Sequence, residues 1–283
     1  MVENSEDIQE IKPFLRWAGG KRWLVRQLSE RLNALSFNNY YEPFLGGGSV
    51  FFNLPTTKKA FLSDLNGDLI ETYIVVRDHV ERLIDELKKY RNSERFYYAV
   101  RDRSPQNKVE KAARFIYLNQ TSFNGIYRVN LEGVYNVPYG YRKKNFLEID
   151  NLRNVSAKLK RASLTTRDFE AAIDGARRND LFFLDPPYTV SHNHNGFIKY
   201  NQNLFSLDDQ LRLAECVERI KKKDALYILS NAAHKTIDKI FGSVDKKIEI
   251  KRASLIGGLK ANRGDVSEYL FTNIGVLKTL KKE

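Results

Sequence analysis

At 283 residues the chain is long enough for about two domains, or for one α/β domain carrying an insertion. Hydrophobic residues make up 42% and aromatics 12%, which excludes wholesale disorder, and the single cysteine, Cys216, excludes an intrachain disulfide framework and a cysteine-cluster zinc site. The formal net charge of +12 favours a polyanionic partner, because phosphates attract Lys and Arg whatever their order, although a merely solvated basic surface has the same composition.

The opening MVENSEDIQE is too acidic and polar for a secretory signal, and no apolar run approaches the ~18 residues of a membrane span. The expectation is a soluble protein of a reducing compartment, with no membrane partner. Apolar residues at Leu24, Val25, Leu28 and Leu32 predict a helix from about Lys21 to Leu35. Tyr40–Phe44 predicts a strand running into Gly46, Gly47 and Gly48, with a helix starting near Ser49. A second strand, Lys59–Ser63, ends at Asp64. From Leu69 to about Ser156 the pattern changes to helices and polar loops, among them Val80–Tyr90 and Val109–Asn119. Strands return in Ala162–Thr166, Leu181–Leu184 and Ala225–Leu229. Between the last two, Ser206–Lys222 predicts a helix capped by Ser206, with Asp209 three residues on. Lys246–Lys251 and Glu268–Thr272 predict a closing hairpin or two late strands.

Strands alternating with helices imply an α/β fold with a mostly parallel sheet covered on both faces. The interval between Asp64 and Ala162 is too long for one crossover and too helical for a plain loop. It predicts a helical domain, 67–149, inserted into a discontinuous α/β domain of 1–66 and 150–283.

Two segments carry chemistry. In YEPFLGGGSVFF, Tyr41–Phe52, glycines directly after a strand let the backbone turn tightly and approach a ligand. The dinucleotide fingerprint is absent, because Phe51 stands where its third glycine would be. A plain tight turn has the same composition. Asp64, ending the next strand, is placed to accept ribose hydroxyls, or serves as the turn residue of SDLNGD. In LFFLDPPY, Leu181–Tyr188, an apolar strand delivers Asp185 to its carboxyl end, and Pro186 and Pro187 stiffen the turn while removing two backbone donors. The Asp185 carboxylate and the Pro186 carbonyl can then each accept one hydrogen of an exocyclic NH2 group, and Tyr188 offers a flat face for a ring.

In chain order, FLRWAGGK (Phe14–Lys21), EPFLGGGSVFF, SDLN (Ser63–Asn66), LNQTSFNGIYRVN (Leu118–Asn130) and YNVPYG (Tyr135–Gly140) are followed by Asp168–Phe169, DPPY, LSN (Leu229–Asn231) and RGDVSEYLFTN (Arg263–Asn273). Together they resemble the Dam-type DNA adenine-N6 methyltransferases, D12 class, alpha group. The resemblance implies a Rossmann-like S-adenosylmethionine-dependent methyltransferase core with 67–149 as target-recognition domain, and site-specific methylation of adenine N6 in double-stranded DNA by base flipping, within GATC or a related site. It assigns catalysis to Asp185, Pro186, Pro187 and Tyr188. S-adenosyl-L-methionine, leaving as S-adenosyl-L-homocysteine, would meet Trp17, Lys21, Asp64 and Asp185, with Glu42, Pro43, Phe44, Gly46 and Gly48 lining the pocket and Asp168 and Phe169 beside the adenine. DNA contacts fall on Asn124, Arg128, Asn136 and Pro138, with Arg128 on a guanine, and no metal is implied. A cognate restriction endonuclease acting separately is a possible partner, and the setting is the cytoplasm of a bacterium or archaeon, or a phage-encoded protein. Phe123 departs from relatives with Tyr there, which leaves that aromatic's role open. Methylation of cytosine N4 or of RNA adenine would use a similar Pro-Pro-Tyr turn, and a DNA-binding protein without catalysis is the competing class.

The remaining reactive residues read as structural. Cys216 lies among Leu213, Val217 and Ile220 and predicts a core position. His192 and His194 predict a polar loop, Lys221–Lys223 a solvated helix end, and Arg142, Lys143 and Lys144 phosphate contacts. Aromatics interleaved with Arg and Lys from Tyr90 to Phe146 divide between core and base-stacking positions.

Overall fold

The computed structural model describes residues 11–54, 59–125, 127–130, 133–189, 205–242, 245–253, 265–275 and 277. The chain divides into two compact units, one of Met1–Gly20, Gly46–Thr56 and Asp68–Lys160, the other of Lys21–Leu45, Thr57–Gly67 and Arg161–Glu283.

The second unit is a seven-stranded sheet built from β1 (Tyr40–Glu42), β2 (Ala60–Asp64), β3 (Ala162–Thr166), β4 (Leu181–Leu184), β5 (Leu226–Ala232), β6 (Lys246–Ala253) and β7 (Asp265–Thr272). The order is β3-β2-β1-β4-β5-β7-β6, and only β7 runs antiparallel to its two neighbours. β1 stops at Glu42, two residues before the predicted end, because Pro43 has no N–H for the ladder. β5 runs on to Ala232, where Glu268 of β7 pairs with it. All four residues of β4 are buried, as a central strand of a parallel sheet requires.

Helix α1 (Arg22–Asn33) begins the unit, with Leu24 and Leu28 buried. After five helices of the other unit, numbered α2 to α6 in chain order between Gly67 and Leu159, come α7 (Phe169–Ile173), α8 (Leu207–Lys222) and α9 (Lys235–Phe241). Leu213, Cys216, Val217 and Ile220 of α8 and Ile237 and Phe241 of α9 pack with Phe182, Leu184, Tyr227 and Leu229. Cys216 is thus a core residue, its thiol pushed up to about 11 by burial. The predicted cap of α8 is a full capping box: Ser206 Oγ accepts from Asp209 N, and the Asp209 carboxylate accepts from Ser206 N. Lys221–Lys223 forms the expected solvated helix end, with Lys222 and Lys223 exposed, while half-buried Lys221 also meets Glu218 and Asp245 and Lys223 donates to the Asp174 carbonyl.

The first unit is helical: α2 (Gly67–Asp78), α3 (Val80–Lys88), α4 (Glu94–Arg101), α5 (Lys108–Thr121) and α6 (Ile149–Leu159). Ser93 and Asn107 cap α4 and α5 through their side chains. The predicted helix near Ser49 is instead one 3₁₀ turn, Phe51–Asn53. Leu54 is already extended, as the residue before Pro55 prefers. Segments 1–20, 46–56 and 150–160 group with the inserted helices, which a 67–149 division does not include. The grouping follows side-chain packing: Phe14 and Phe52 pack with Tyr73, and Lys158 donates to the carbonyls of Phe52 and Leu54.

Half of the interleaved aromatics of this unit are core, with Tyr90, Tyr97, Phe115, Tyr117, Tyr135 and Tyr139 all buried, whereas Phe123 and Tyr141 are exposed. Gly140 crosses close over Ser122: a Cβ there would stand 2.5 Å from the Ser122 carbonyl oxygen and 2.8 Å from Phe123 N. Since backbone cannot give way as a side-chain tip can, Gly140→Ala should cost about 1–3 kcal/mol of stability. A lower denaturant midpoint measures this; an unchanged midpoint would show that the loop yields.

Candidate active site

Strand β1 is flanked by β2 on one side and β4 on the other, so the chain order reverses at β1/β4, and the carboxyl ends of strands at such a reversal form a ligand crevice. Glu42 and Asp185 stand at those two ends. Asp185 accepts from Ser230 Oγ at 2.6 Å and from Lys21 Nζ at 2.9 Å, and both contacts fall on Oδ1. No described residue bonds Oδ2. Burial raises the Asp185 carboxyl above the usual aspartate range, against the pull of Lys21 and of the Ser230 hydrogen bond.

Lys21 is buried, so its ammonium needs partners in place of water. It donates to Tyr188 OH at 3.0 Å, lies 4.8 Å from that ring's centroid, and stands 3.6 Å from Glu268 Oε2. Tyr188 OH in turn donates to Glu268 Oε2 at 2.8 Å. Beyond the turn, Thr189 Oγ1 donates to the Phe205 carbonyl and accepts from Gln210 Nε2, and the Gln210 amide oxygen accepts from Asn231 Nδ2. The DPPY turn is therefore tied on both sides to α8, β5 and β7.

The other predicted residues of this unit lie near strand ends. Glu42 is buried and accepts from Tyr40 OH at 2.8 Å, and Pro43 and Phe44 follow it. Phe44 stacks on Phe169 at 5.3 Å, which places Phe169 in the core. Asp64 accepts from Asn66 N in a local turn. Asp168 caps α7 through Glu170 N and pairs with Arg212 at 2.9 Å. In the first unit, Gly46 and Gly48 adopt φ of +47° and +65°. A Cβ on Gly46 would stand 2.6 Å from Trp17 Cδ1, so only glycine fits beneath that indole, whose ring also stacks with Tyr127 at 5.9 Å.

The predicted DNA residues gather in one loop cluster of the first unit. Asn124 has φ +55° and begins the turn that its Asn-Gly pair predicts. Antiparallel bridges Ser122↔Tyr139 and Val129↔Tyr135 draw the two segments together. Arg128 Nε donates to Asn136 Oδ1 at 2.8 Å, and the Pro138 carbonyl accepts from Phe123 N. Asn124, Arg128, Asn136 and Pro138 are all exposed at the surface. Of the basic trio, Lys143 is exposed, Lys144 pairs with Glu148, and Arg142 is half-buried. His192 and His194 lie outside the described residues, as does Glu132, the acidic neighbour with which Arg128 would pair in the alternative reading of that arginine.

Three residues escaped sequence reasoning. Ser230 and Glu268 lie in strands that also carry other polar residues, LYILSNA and DVSEYLFT, so residue type alone did not single them out; both are buried beside apolar neighbours. Arg16, within FLRWAGGK, has its Nη1 shielded from solvent and without a hydrogen-bond partner among the described residues, as has Arg142. Burial and the charge of Arg142 lower the Arg16 pKa. No group of three or more His, Cys, Asp or Glu among the described residues is placed to hold a metal. No helix of the described residues is long and apolar enough to cross a membrane.

A mixed seven-stranded sheet covered by helices, with an acidic Pro-Pro-Tyr turn at its reversal, is an α/β architecture of the methyltransferase kind. The chain belongs to the D12 class N6 adenine-specific DNA methyltransferases, the family that residues 17–254 match. It is 38% identical over 265 residues to Type II methyltransferase M.MjaIII of Methanocaldococcus jannaschii, covering 86% of this chain and 91% of that one. It is 34% identical to Type II methyltransferase M1.LlaDCHI of Lactococcus lactis subsp. cremoris, over 94% and 96% of the two chains. It is 32% identical to the DNA adenine methylase of Haemophilus influenzae, over 86% and 87%. The protein is an adenine-specific DNA methyltransferase.

Proposed function

We propose that this enzyme transfers a methyl group from S-adenosyl-L-methionine to adenine N6 in double-stranded DNA, within GATC or a related site, with the target base turned out of the duplex. The observation that carries the proposal is Asp185, at the end of β4 with Oδ1 held by Lys21 and Ser230 and Oδ2 bonded to no described residue. A paired adenine hides its amino group, so the base has to leave the stack to reach such a carboxylate. Oδ2 of Asp185 and the Pro186 carbonyl accept the two amino hydrogens, Pro187 stiffens the turn, and the ring rests on Tyr188. The nitrogen lone pair is then oriented for in-line attack, and positioning supplies much of the rate.

The residues present fit the cofactor. Asp64 ends β2 and Asp168 follows the adjacent parallel β3, both with carboxylates suited to hydroxyls and amines, and Glu42 adds a third. Trp17, in the other unit, is the aromatic assigned to a cation. When bound, the group supplies a methyl carbon on a sulfonium. Trp17→Ala is expected to weaken its binding about threefold to thirtyfold by calorimetry. Unchanged affinity would assign Trp17 to packing over Gly46 alone.

For DNA, Arg128 reads a guanine, with Asn124, Asn136 and Pro138 beside it. Arg16 and Arg142, two mutually repelling guanidinium groups whose shielded Nη1 atoms no described residue bonds, suit a phosphate. A separate cognate restriction endonuclease is the partner that the Type II names of two relatives favour. Incubation with labelled cofactor and duplex DNA, RNA or free nucleotides tests the whole reading: label is expected on N6-methyladenine in duplex DNA. Label on cytosine or in RNA would overturn it.

A further inference from the structure

Glu268 is a carboxylate with a 1% exposed side chain on β7, followed there by the apolar or aromatic Tyr269, Leu270 and Phe271. A buried carboxylate is costly unless it has partners. Its register is set from both sides, by Ala232 of β5 and Ile250 of β6. From that fixed position Oε2 accepts from Tyr188 OH at 2.8 Å and stands 3.6 Å from Lys21 Nζ, the cation that holds Asp185 Oδ1. The hydroxyl end of the Tyr188 ring and the ammonium behind Asp185 therefore share one anchor. A carboxylate serving only as a counter-ion for Lys21 would have no need of the tyrosine, yet the shorter of these two contacts is to the hydroxyl.

We propose that Glu268 is a positioning residue for methyl transfer: through the Tyr188 hydroxyl it sets the ring against which the target adenine rests, and through Lys21 it steadies the Asp185 carboxylate. This rests on the reading that Asp185–Tyr188 receives the flipped adenine. Because Glu268 acts through Tyr188, the loss from removing it should depend on the hydroxyl being there.

The test uses the full chain in four forms: Glu268→Leu, Glu268→Gln, Tyr188→Phe, and Glu268→Leu combined with Tyr188→Phe. Glu268→Leu should lower kcat about tenfold while the KM for duplex and the equilibrium affinity for cofactor stay within about twofold. Glu268→Gln keeps an oxygen that accepts from Tyr188 and should recover most of that loss. Tyr188→Phe should also lower kcat severalfold, and adding Glu268→Leu to it should lower kcat by less than about threefold more. Emission from 2-aminopurine at the target position gives a second readout, expected to differ between the unaltered enzyme and Glu268→Leu. Wild-type kcat in folded Glu268→Leu, equal losses in the Leu and Gln variants, or full additivity with Tyr188→Phe would each overturn the role of Glu268. If Glu268→Leu shows no cooperative melt, wild-type kcat in Tyr188→Phe overturns it instead. Absence of any 2-aminopurine response with the unaltered enzyme would overturn the underlying base-flipping reading.

Discussion

Asp185→Ala is expected to lower methyl transfer by on the order of 10²–10³-fold or more while duplex affinity changes less than about threefold, because a group that orients the reacting nitrogen acts on the transfer step rather than on DNA capture. The residue at issue has one oxygen bonded twice, by Lys21 and Ser230, and the other bonded to no described residue, so its loss removes the acceptor while the apolar β4 stays intact. Single-turnover rates and filter-binding affinities on the same duplex separate the two quantities. Transfer at the wild-type rate would refute the assignment of Asp185. The pH profile adds a signed expectation. Acceptance of amino hydrogens needs the carboxylate form, and burial raises the Asp185 carboxyl above the ordinary aspartate value of 3.8. Single-turnover rate should therefore fall with decreasing pH at a higher pH than an exposed aspartate would give, and Ser230→Ala, which removes a hydrogen bond favouring the ionised form, should move that limb further upward.

Arg128→Ala should cost on the order of 1–3 kcal/mol, roughly 5- to 150-fold, against the preferred site and relax discrimination at one base pair. Arg128 Nε is occupied by Asn136 Oδ1, which orients the guanidinium and leaves its two Nη groups, the pair that bonds guanine O6 and N7, without a bond to any described residue. Asn136→Ala should produce a smaller loss at the same base pair, since it frees the orientation without removing the reader. Lys143 is exposed and should behave differently: its replacement weakens binding to all sequences and lessens the salt dependence by about one ion. Methylation profiling over near-cognate duplexes decides between these outcomes. An unaltered site preference with reduced stability would mean that Arg128 serves only to brace the 122–140 loops.

Local patterns made much of this protein legible in its sequence. The capping box at Ser206 and Asp209, the Asn-Gly turn at 124–125 and the apolar run of β4 all depend on interactions within a few residues or on binary pattern, so reading them needs no knowledge of neighbours in space. The same holds for the DPPY turn and the glycines before Ser49. What followed from distant contacts was out of reach. The helix expected near Ser49 shrank to one 3₁₀ turn, and segments 1–20 and 46–56 joined the helical unit because Phe14 and Phe52 pack with Tyr73. Above all, the closing strands were readable as a pair, but their place was not. β7 adds antiparallel to β5, and that register puts Glu268 opposite Ala232, within hydrogen-bond reach of Tyr188, 80 residues earlier in the chain. A one-residue slip would turn Glu268 to the other face of the sheet. The sequence by itself determined which residue types stand at the strand ends; the pairing of β5 with β7 decided which buried carboxylate anchors Lys21 and Tyr188, because sheet register is set by side-chain packing across strands that the linear order does not contain.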